Sequence, residues 1–132
     1  MAYLIDTDIL IYCLKNDEHV KQKFIENQNI PKSISVITYG ELVYSAKKSR
    51  HIEKNLAVTY RIAELFPVID IGRSSMDIFG EIKSNLERKG NIIEDMDILI
   101  AATALLHNLI LVTNNVKHFE KIKDLIMENW KK

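Results

Sequence analysis

The hydrophobic residues of this chain follow two patterns, short continuous runs and longer segments with helical spacing. The runs predict buried strands, and a period near 3.6 predicts helices with one buried face. We predict strands at 3–5, 33–37, 68–71, 109–113 and 126–129. Predicted helices cover 9–14, 19–27, 38–48, 51–66, 97–107 and a segment from Ser74 to a stop at Gly90. This alternation predicts one α/β domain over residues 1–132, with a mostly parallel sheet of four or five strands flanked by helices.

Acidic residues interrupt three of the apolar segments. They are Asp6 and Asp8 in the first, Glu41 in the second, and Asp95 and Asp97 in the third. A carboxylate removed from water costs several kcal/mol unless it is paired or bound to a cation. These three segments contain no Lys or Arg. A shared metal ion is therefore the simplest explanation for the acids.

The predicted topology brings the acids to one edge of the sheet. Asp6 follows the first strand, Glu41 follows the second, and Asn114 and Asn115 follow the fourth. Asp97 begins a helix, and helix N-termini face the same edge of a parallel sheet. Ligands of open α/β sheets bind beyond the carboxyl ends of the strands. We therefore expect a site at that edge.

Composition narrows the functional classes. Eighteen basic and eighteen acidic residues balance, so no overall positive field indicates a nucleic-acid binder, although a local basic surface could still hold a backbone. The single Cys13 excludes an intramolecular disulfide and a multi-thiolate zinc site, and we interpret it as a small buried side chain. No signal-peptide pattern and no apolar segment near the ~20 residues of a membrane span is present. We expect a cytoplasmic protein without membrane association.

Four segments resemble PIN-domain nucleases, and specifically the VapC-type toxins of toxin–antitoxin pairs. They are LIDTDILIY (4–12), SVITYGELVYS (35–45), DILIAATA (97–104) and LVTNNVKHF (111–119), with Trp130 near the end. The resemblance covers essentially the whole chain. It implies a three-layer PIN-like fold, divalent-metal-dependent cleavage of RNA such as a tRNA, inhibition by a cognate antitoxin protein, and a homodimer.

The resemblance also gives each candidate a role. Asp6 and Asp97 would be direct metal ligands, and Glu41 would hold a second metal or position a nucleophilic water. The fourth acidic position of many PIN domains is Asn115 here, with Asn114 as the alternative, which weakens the case for a second metal. Asn115 would orient water or a substrate phosphate. Oxygen ligands select Mg²⁺ or Mn²⁺, and the four histidines show no zinc spacing.

Purely structural roles are alternatives for several of these residues. Thr38 and Glu41 have the spacing of a capping box, in which Glu41 would bind a backbone amide. Asp6 and Asp8 could cap the first helix, and Asp8 fits a structural role better.

The third acidic segment and the asparagines allow similar alternatives. Asp95 and Asp97 lie roughly 200° apart around a helix, so both cannot face one site if both are helical. We interpret Asp95 as the N-cap and Asp97 as the ligand, although Asp95 could reach the site from the preceding loop. Asn114 is typical of a turn.

Two other functions remain open at this stage. In a haloacid-dehalogenase-type phosphatase, Asp6 would be the nucleophile and Asp8 the acid/base. Two observations argue against a phosphatase. Asp97 leads into a helix instead of ending a strand, and Glu41 would have no role. A catalytically silent PIN fold used as a binding module is the second alternative, and the intact acids argue against it.

Two surfaces are candidates for partners. Basic residues that could hold an RNA backbone, or simply form solvated helix faces, occur in two groups, Lys47, Lys48, Arg50, His51 and Lys54, and Lys83, Arg88 and Lys89. Apolar residues that could form a groove for an amphipathic antitoxin helix, or belong to the core, are Ile11, Leu14, Val43 and Tyr44.

Overall fold

The computed structural model describes residues 1–132, which form one five-stranded sheet with seven helices. The strands are β1 (Tyr3–Ile5), β2 (Lys32–Ser35), β3 (Val68–Ile69), β4 (Ile110–Val112) and β5 (Met127–Glu128). The helices are α1 (Thr7–Leu14), α2 (Glu18–Glu26), α3 (Val36–Lys47), α4 (Ile52–Leu65), α5 (Arg73–Arg88), α6 (Asp95–Leu106) and α7 (Val116–Phe119). The strand order is β3-β2-β1-β4-β5 and every pair is parallel. The predicted parallel α/β fold is confirmed.

Helices cover both faces of the sheet because the side chains of the central strand alternate between them. Leu4 belongs to the cluster formed with α5 and α6, whereas Tyr3 and Ile5 belong to the cluster formed with α1 to α4. On β4, Leu111 packs in the cluster with α5 and α6, and Val112 packs in the cluster with α1 to α4. A strand buried on both faces reads as a continuous apolar run, which is why the runs were visible in the sequence.

One predicted boundary was wrong in a way that matters for the site. The predicted strand 33–37 ends at Ser35, and Val36 and Ile37 already belong to α3. The hydroxyl of Ser35 accepts a hydrogen bond from the Ile37 backbone N–H at 3.1 Å and caps the helix. Two β-branched residues favour a strand locally, but this cap and the burial of the helix decide the outcome. The four-residue α7 was not predicted.

The last strand is anchored by an aromatic cluster. Trp130 is 1% exposed and packs edge-on against Tyr3 and Phe24, with ring centroids 5.1 and 5.0 Å away. Its Nε1–H donates to Glu128 at 3.0 Å, and Glu128 also accepts from the Tyr3 hydroxyl at 3.2 Å.

No helix of the structure has the length and apolar character needed to cross a membrane.

Candidate active site

Asp6 stands where β1 ends and α1 begins, and it is almost fully buried. Its Oδ1 accepts a hydrogen bond from the backbone N–H of Thr7 at 2.8 Å. Asp6 is therefore the N-cap of α1, which was one of the predicted alternatives. Its Oδ2 accepts from the Thr113 hydroxyl at 2.8 Å. Because Ile5 pairs with Val112, the next residues along the two parallel strands are Asp6 and Thr113. Both oxygens of Asp6 are therefore fixed at the carboxyl edge of the sheet.

Glu41 reaches from α3 to the start of α1. Its Oε1 accepts a hydrogen bond from the Thr7 hydroxyl at 2.5 Å, and Thr7 Oγ1 lies 3.0 Å from Thr38 Oγ1. Thr38 is inside α3 and Ser35 is its N-cap, so the capping box of Thr38 and Glu41 is wrong. Since Thr7 follows Asp6 directly, the two carboxylates are held by neighbouring groups.

Asp8 is the second residue of α1 and lies in its first turn, close to Asp6. Its Oδ2 accepts a hydrogen bond from the backbone N–H of Asn114 at 3.1 Å. Its Oδ1 is buried and has no hydrogen-bond partner. A buried carboxylate oxygen without a donor is costly, and it is the kind of atom that a cation would satisfy.

Asp97 lies in the first turn of α6 and faces α7, where its Oδ2 is 3.0 Å from Nε2 of His118. Asp95 is exposed and instead forms an ion pair with Lys83 of α5 at 2.9 Å. The N-cap of α6 is Glu94, so the prediction that Asp95 caps this helix is wrong. The helix begins at Asp95, two residues earlier than predicted, and Asp95 and Asp97 lie roughly 200° apart around it.

The two asparagines after β4 differ in their contacts. The Asn114 side chain donates to the Tyr12 hydroxyl at 3.3 Å and accepts from the Asn129 amide at 3.2 Å. The backbone N–H of Asn115 donates to Thr113 Oγ1 at 3.0 Å, while its exposed side chain makes no hydrogen bond. Asn114 therefore has a structural role, and the amide of Asn115 is free to bind a ligand.

Four carboxylates, Asp6, Asp8, Glu41 and Asp97, form what we call the acidic edge. Burial raises the pKa of all four above its ordinary value, and burial together with the charge of Asp8 raises the pKa of Asp6 to about 7. The charge of Asp97 raises the pKa of Asp6 and of Glu41 further. No Lys or Arg forms an ion pair with any of them. The acidic edge is thus a concentration of negative charge without a Lys or Arg counter-charge.

The donor set fits Mg²⁺ or Mn²⁺. It consists mainly of carboxylate oxygens, and one of them, Oδ1 of Asp8, has no hydrogen-bond partner in the protein. The residues do not form a closed cage, since no three His, Cys, Asp or Glu side chains are grouped for one ion. Mg²⁺ keeps several waters and takes only one or two carboxylates when a substrate phosphate supplies further oxygens. An open edge of this kind suits that ion.

The predicted RNA-binding residues Lys47, Lys48, Arg50 and Lys54 lie together where α3 passes into α4, and we call them the basic tip. Lys47 is about 9 Å along the helix axis from Glu41, at 1.5 Å per residue. The ammonium of Lys48 lies 4.9 Å from the centre of the Tyr44 ring. No ion pair joins the basic tip to the acidic edge, and the role of the basic tip in RNA binding stays a prediction.

The sequence model of the PIN domain matches residues 3–125. The chain belongs to the PIN-domain family. Among its relatives, Ribonuclease VapC2 of Rickettsia felis is 36% identical, with 100% of both chains covered. The tRNA(fMet)-specific endonuclease VapC of Shigella flexneri is 35% identical, with 98% of each covered. A crystal structure of VapBC2 from Rickettsia felis bound to a promoter DNA fragment superposes with a TM-score of 0.91 at 35% identity, covering 98% of this chain and 99% of that one.

Four residues at the site of this PIN domain were missed by the sequence analysis. Thr7 and Thr113 hold Glu41 and Asp6, His118 contacts Asp97, and the charge of Glu94 raises the pKa of Glu41 and Asp97. Glu94 and Thr7 lie beside acids in the sequence, and Thr113 directly precedes the candidate asparagines, which were usable signals. His118 had only one signal, its position three residues after Asn115, within one turn of a helix that was not predicted.

The raised pKa of Asp6 predicts how the thermal stability of this PIN domain without metal depends on pH. Because its folded-state pKa of about 7 exceeds the ordinary 3.8, folding favours the protonated form. That stabilisation is complete below pH 3.8 and is lost as the pH rises through about 7. In chelator, Asp6→Asn should therefore lose less thermal stability than the wild type between pH 5 and pH 8. We expect a difference of a few degrees in Tm.

The exposed Asp95 provides the control for this measurement. Asp95→Asn should leave the pH dependence of the wild type unchanged, because that carboxylate is not part of the acidic edge. Equal pH dependence in the wild type and Asp6→Asn would contradict the raised pKa.

Proposed function

We propose that this chain is a divalent-metal-dependent endoribonuclease that acts as the toxin of a VapC-type toxin–antitoxin pair. The observation that carries the proposal is the acidic edge, which has no Lys or Arg partner and lies at the carboxyl end of β1 in a PIN domain. The phosphatase alternative is not supported, because Asp97 lies in the first turn of a helix and Glu41 belongs to the site. The proposed nuclease would act in the cytoplasm, where its RNA substrate is found.

Individual residues of the chain would have separate roles in phosphodiester hydrolysis. Asp6 and Asp97 would hold the ion, which supplies Lewis-acid stabilisation of the charge on phosphate. Asp6 is suited to this because two hydrogen bonds fix its carboxylate. Glu41 has a raised pKa and would accept a proton from the attacking water, or hold a second ion. Asn115 would donate its free amide to water or to a phosphate oxygen.

Cleavage assays test the proposal directly. Purified protein should cleave RNA with Mg²⁺ or Mn²⁺, and a chelator should stop the reaction. Asp6→Asn and Asp97→Asn should each reduce the rate at least about 100-fold, since the ion loses a ligand while the fold is retained. Asp95→Asn is the matched control and should cleave like the wild type.

Three outcomes would count against the nuclease. Full activity in either ligand variant would remove the metal site. Turnover of a phosphate monoester without RNA cleavage would favour the phosphatase. RNA binding without any cleavage would favour a binding module.

The substrate we propose is a structured RNA of the tRNA class. The support is the Shigella flexneri relative that is named a tRNA(fMet)-specific endonuclease, 35% identical over 131 residues. Sequencing RNA ends after brief expression should reveal one or a few preferred sites in tRNA, absent when Asp97→Asn is expressed. Degradation without preferred sites would rule out a selective endonuclease.

The partner we propose is an antitoxin whose amphipathic helix occupies a groove between α1, α3 and α4. The groove has a volume of about 320 Å³ and is lined by Ile11, Leu14, Leu42 and Val58 with polar neighbours. Of the four residues predicted for this role, Ile11 and Leu14 line the groove, whereas Val43 and Tyr44 do not. The support for a bound partner is the likeness to VapBC complexes. The homodimer stays a prediction.

Co-expression with the product of the adjacent small gene tests this partner. That product should relieve growth inhibition and co-purify with the chain. Leu14→Asp should weaken the complex at least roughly tenfold without loss of RNA cleavage, because Leu14 is half exposed at the groove. Leu65→Asp is the control, since Leu65 is exposed on α4 outside the groove. If the product neither relieves growth inhibition nor co-purifies, the antitoxin proposal fails even if the nuclease survives.

A further inference from the structure

Asp97 is the one member of the acidic edge that contacts a basic side chain. Nε2 of His118 lies 3.0 Å from Oδ2 of Asp97. Both side chains are mostly buried, with 28% and 27% of their surfaces exposed. They come from different elements and are 21 residues apart in the chain. The contact is therefore made by the tertiary fold and joins α7 to α6.

The imidazole of His118 is held in place by its surroundings. Its backbone N–H donates to the Asn115 carbonyl at 3.1 Å, within the turn that forms α7. Its ring packs edge-on against Phe119, with centroids 5.6 Å apart and planes at 81°. Phe119 is fully buried in the hydrophobic cluster beneath. The ring is thus anchored to the core and can orient the carboxylate that it contacts.

The chemistry of the two groups fixes the direction of the hydrogen bond. An ionised carboxylate can only accept, so Nε2 must carry the hydrogen that faces Asp97. Oδ1 of Asp97 accepts no hydrogen bond from the protein, whereas Oδ2 is engaged by His118. The same pattern holds Glu41 through Thr7 and Asp8 through the Asn114 backbone. In each case a donor holds one oxygen and leaves the other available.

We propose that His118 is a positioning residue for the metal ligand Asp97. It donates Nε2–H to Oδ2 and orients the carboxylate so that Oδ1 remains available to the ion. Because His118 lies on the same short helix that Asn115 precedes, the contact also fixes Asn115 relative to Asp97. This inference rests on the proposed metal-dependent function. Outer hydrogen-bond partners of metal ligands typically change metal affinity about 10–100-fold.

Two substitutions separate the hydrogen bond from packing. His118→Phe keeps an aromatic ring against Phe119 and removes the donor. His118→Gln replaces the imidazole with an amide N–H of similar reach and should rescue the function. Mn²⁺ affinity is measured by calorimetry without RNA, at one fixed pH. We expect His118→Phe to weaken Mn²⁺ binding roughly tenfold or more, and His118→Gln to remain within about threefold of the wild type.

A matched control and a second measurement complete the experiment. His107→Phe makes the same replacement at the exposed end of α6 and should bind Mn²⁺ like the wild type. Nitrogen NMR of the metal-free wild type should show that Nε2 of the His118 ring carries a hydrogen. This second measurement needs no variant, so it holds even if His118→Phe folds poorly.

Three results would overturn the proposal. They are wild-type Mn²⁺ affinity in His118→Phe, equal weakening in His118→Phe and His118→Gln, and a hydrogen found on Nδ1 instead of Nε2. Failure of the proposed function is distinguishable from all three. In that case the wild type itself would neither bind Mn²⁺ nor cleave RNA.

Discussion

The parallel pairing of β1 with β4 sets the position of Asp6, around which the rest of the site is arranged. Its register places Ile5 beside Val112, so the two chains leave the sheet together at Asp6 and Thr113. The hydrogen bond between these side chains then fixes Asp6, and Thr113 also accepts the N–H of Asn115. A shift of one residue would turn Asp6 to the opposite face of the strand and remove its contact with Thr113. The buried aliphatic side chains on both faces of the sheet oppose such a shift.

The acidic edge is a local conflict between stability and function. Asp6, Asp8, Glu41 and Asp97 lose solvent on folding and repel one another, and burial raises the pKa of each. Neutral donors hold three of them and an imidazole holds the fourth, so their geometry is fixed while their charge is not neutralised. A Lys or Arg among them would stabilise the fold but would compete with a cation. The arrangement is what a site needs when its counter-charge is an ion and not a side chain.

How much could be predicted from the sequence depended on whether a residue's role was local. Asp6, Glu41 and Asp97 stood out because a charge inside an apolar run has a known energetic cost, and the order of strands and helices gave the edge. The contact between His118 and Asp97 joins residues 21 positions apart through a four-residue helix, and no periodicity reveals it. The same limit applies at Ser35, where Val36 and Ile37 favour a strand but the side-chain cap begins α3. Asp95 was misassigned as the N-cap because α6 begins at Asp95 itself, so that Glu94 occupies the capping position.

The site and the groove share the same two helices. Asp6 caps α1 and Glu41 lies in α3, and the Thr7 hydroxyl connects the two helices at the acidic edge. Further along, α1 supplies Ile11 and Leu14 to the groove, and α3 supplies Leu42. A helix bound in the groove would contact the same rigid bodies that orient two of the carboxylates. Thr7 contacts both Glu41 and Thr38 of α3 at the acidic edge, so the site and the groove are built on the same pair of packed helices.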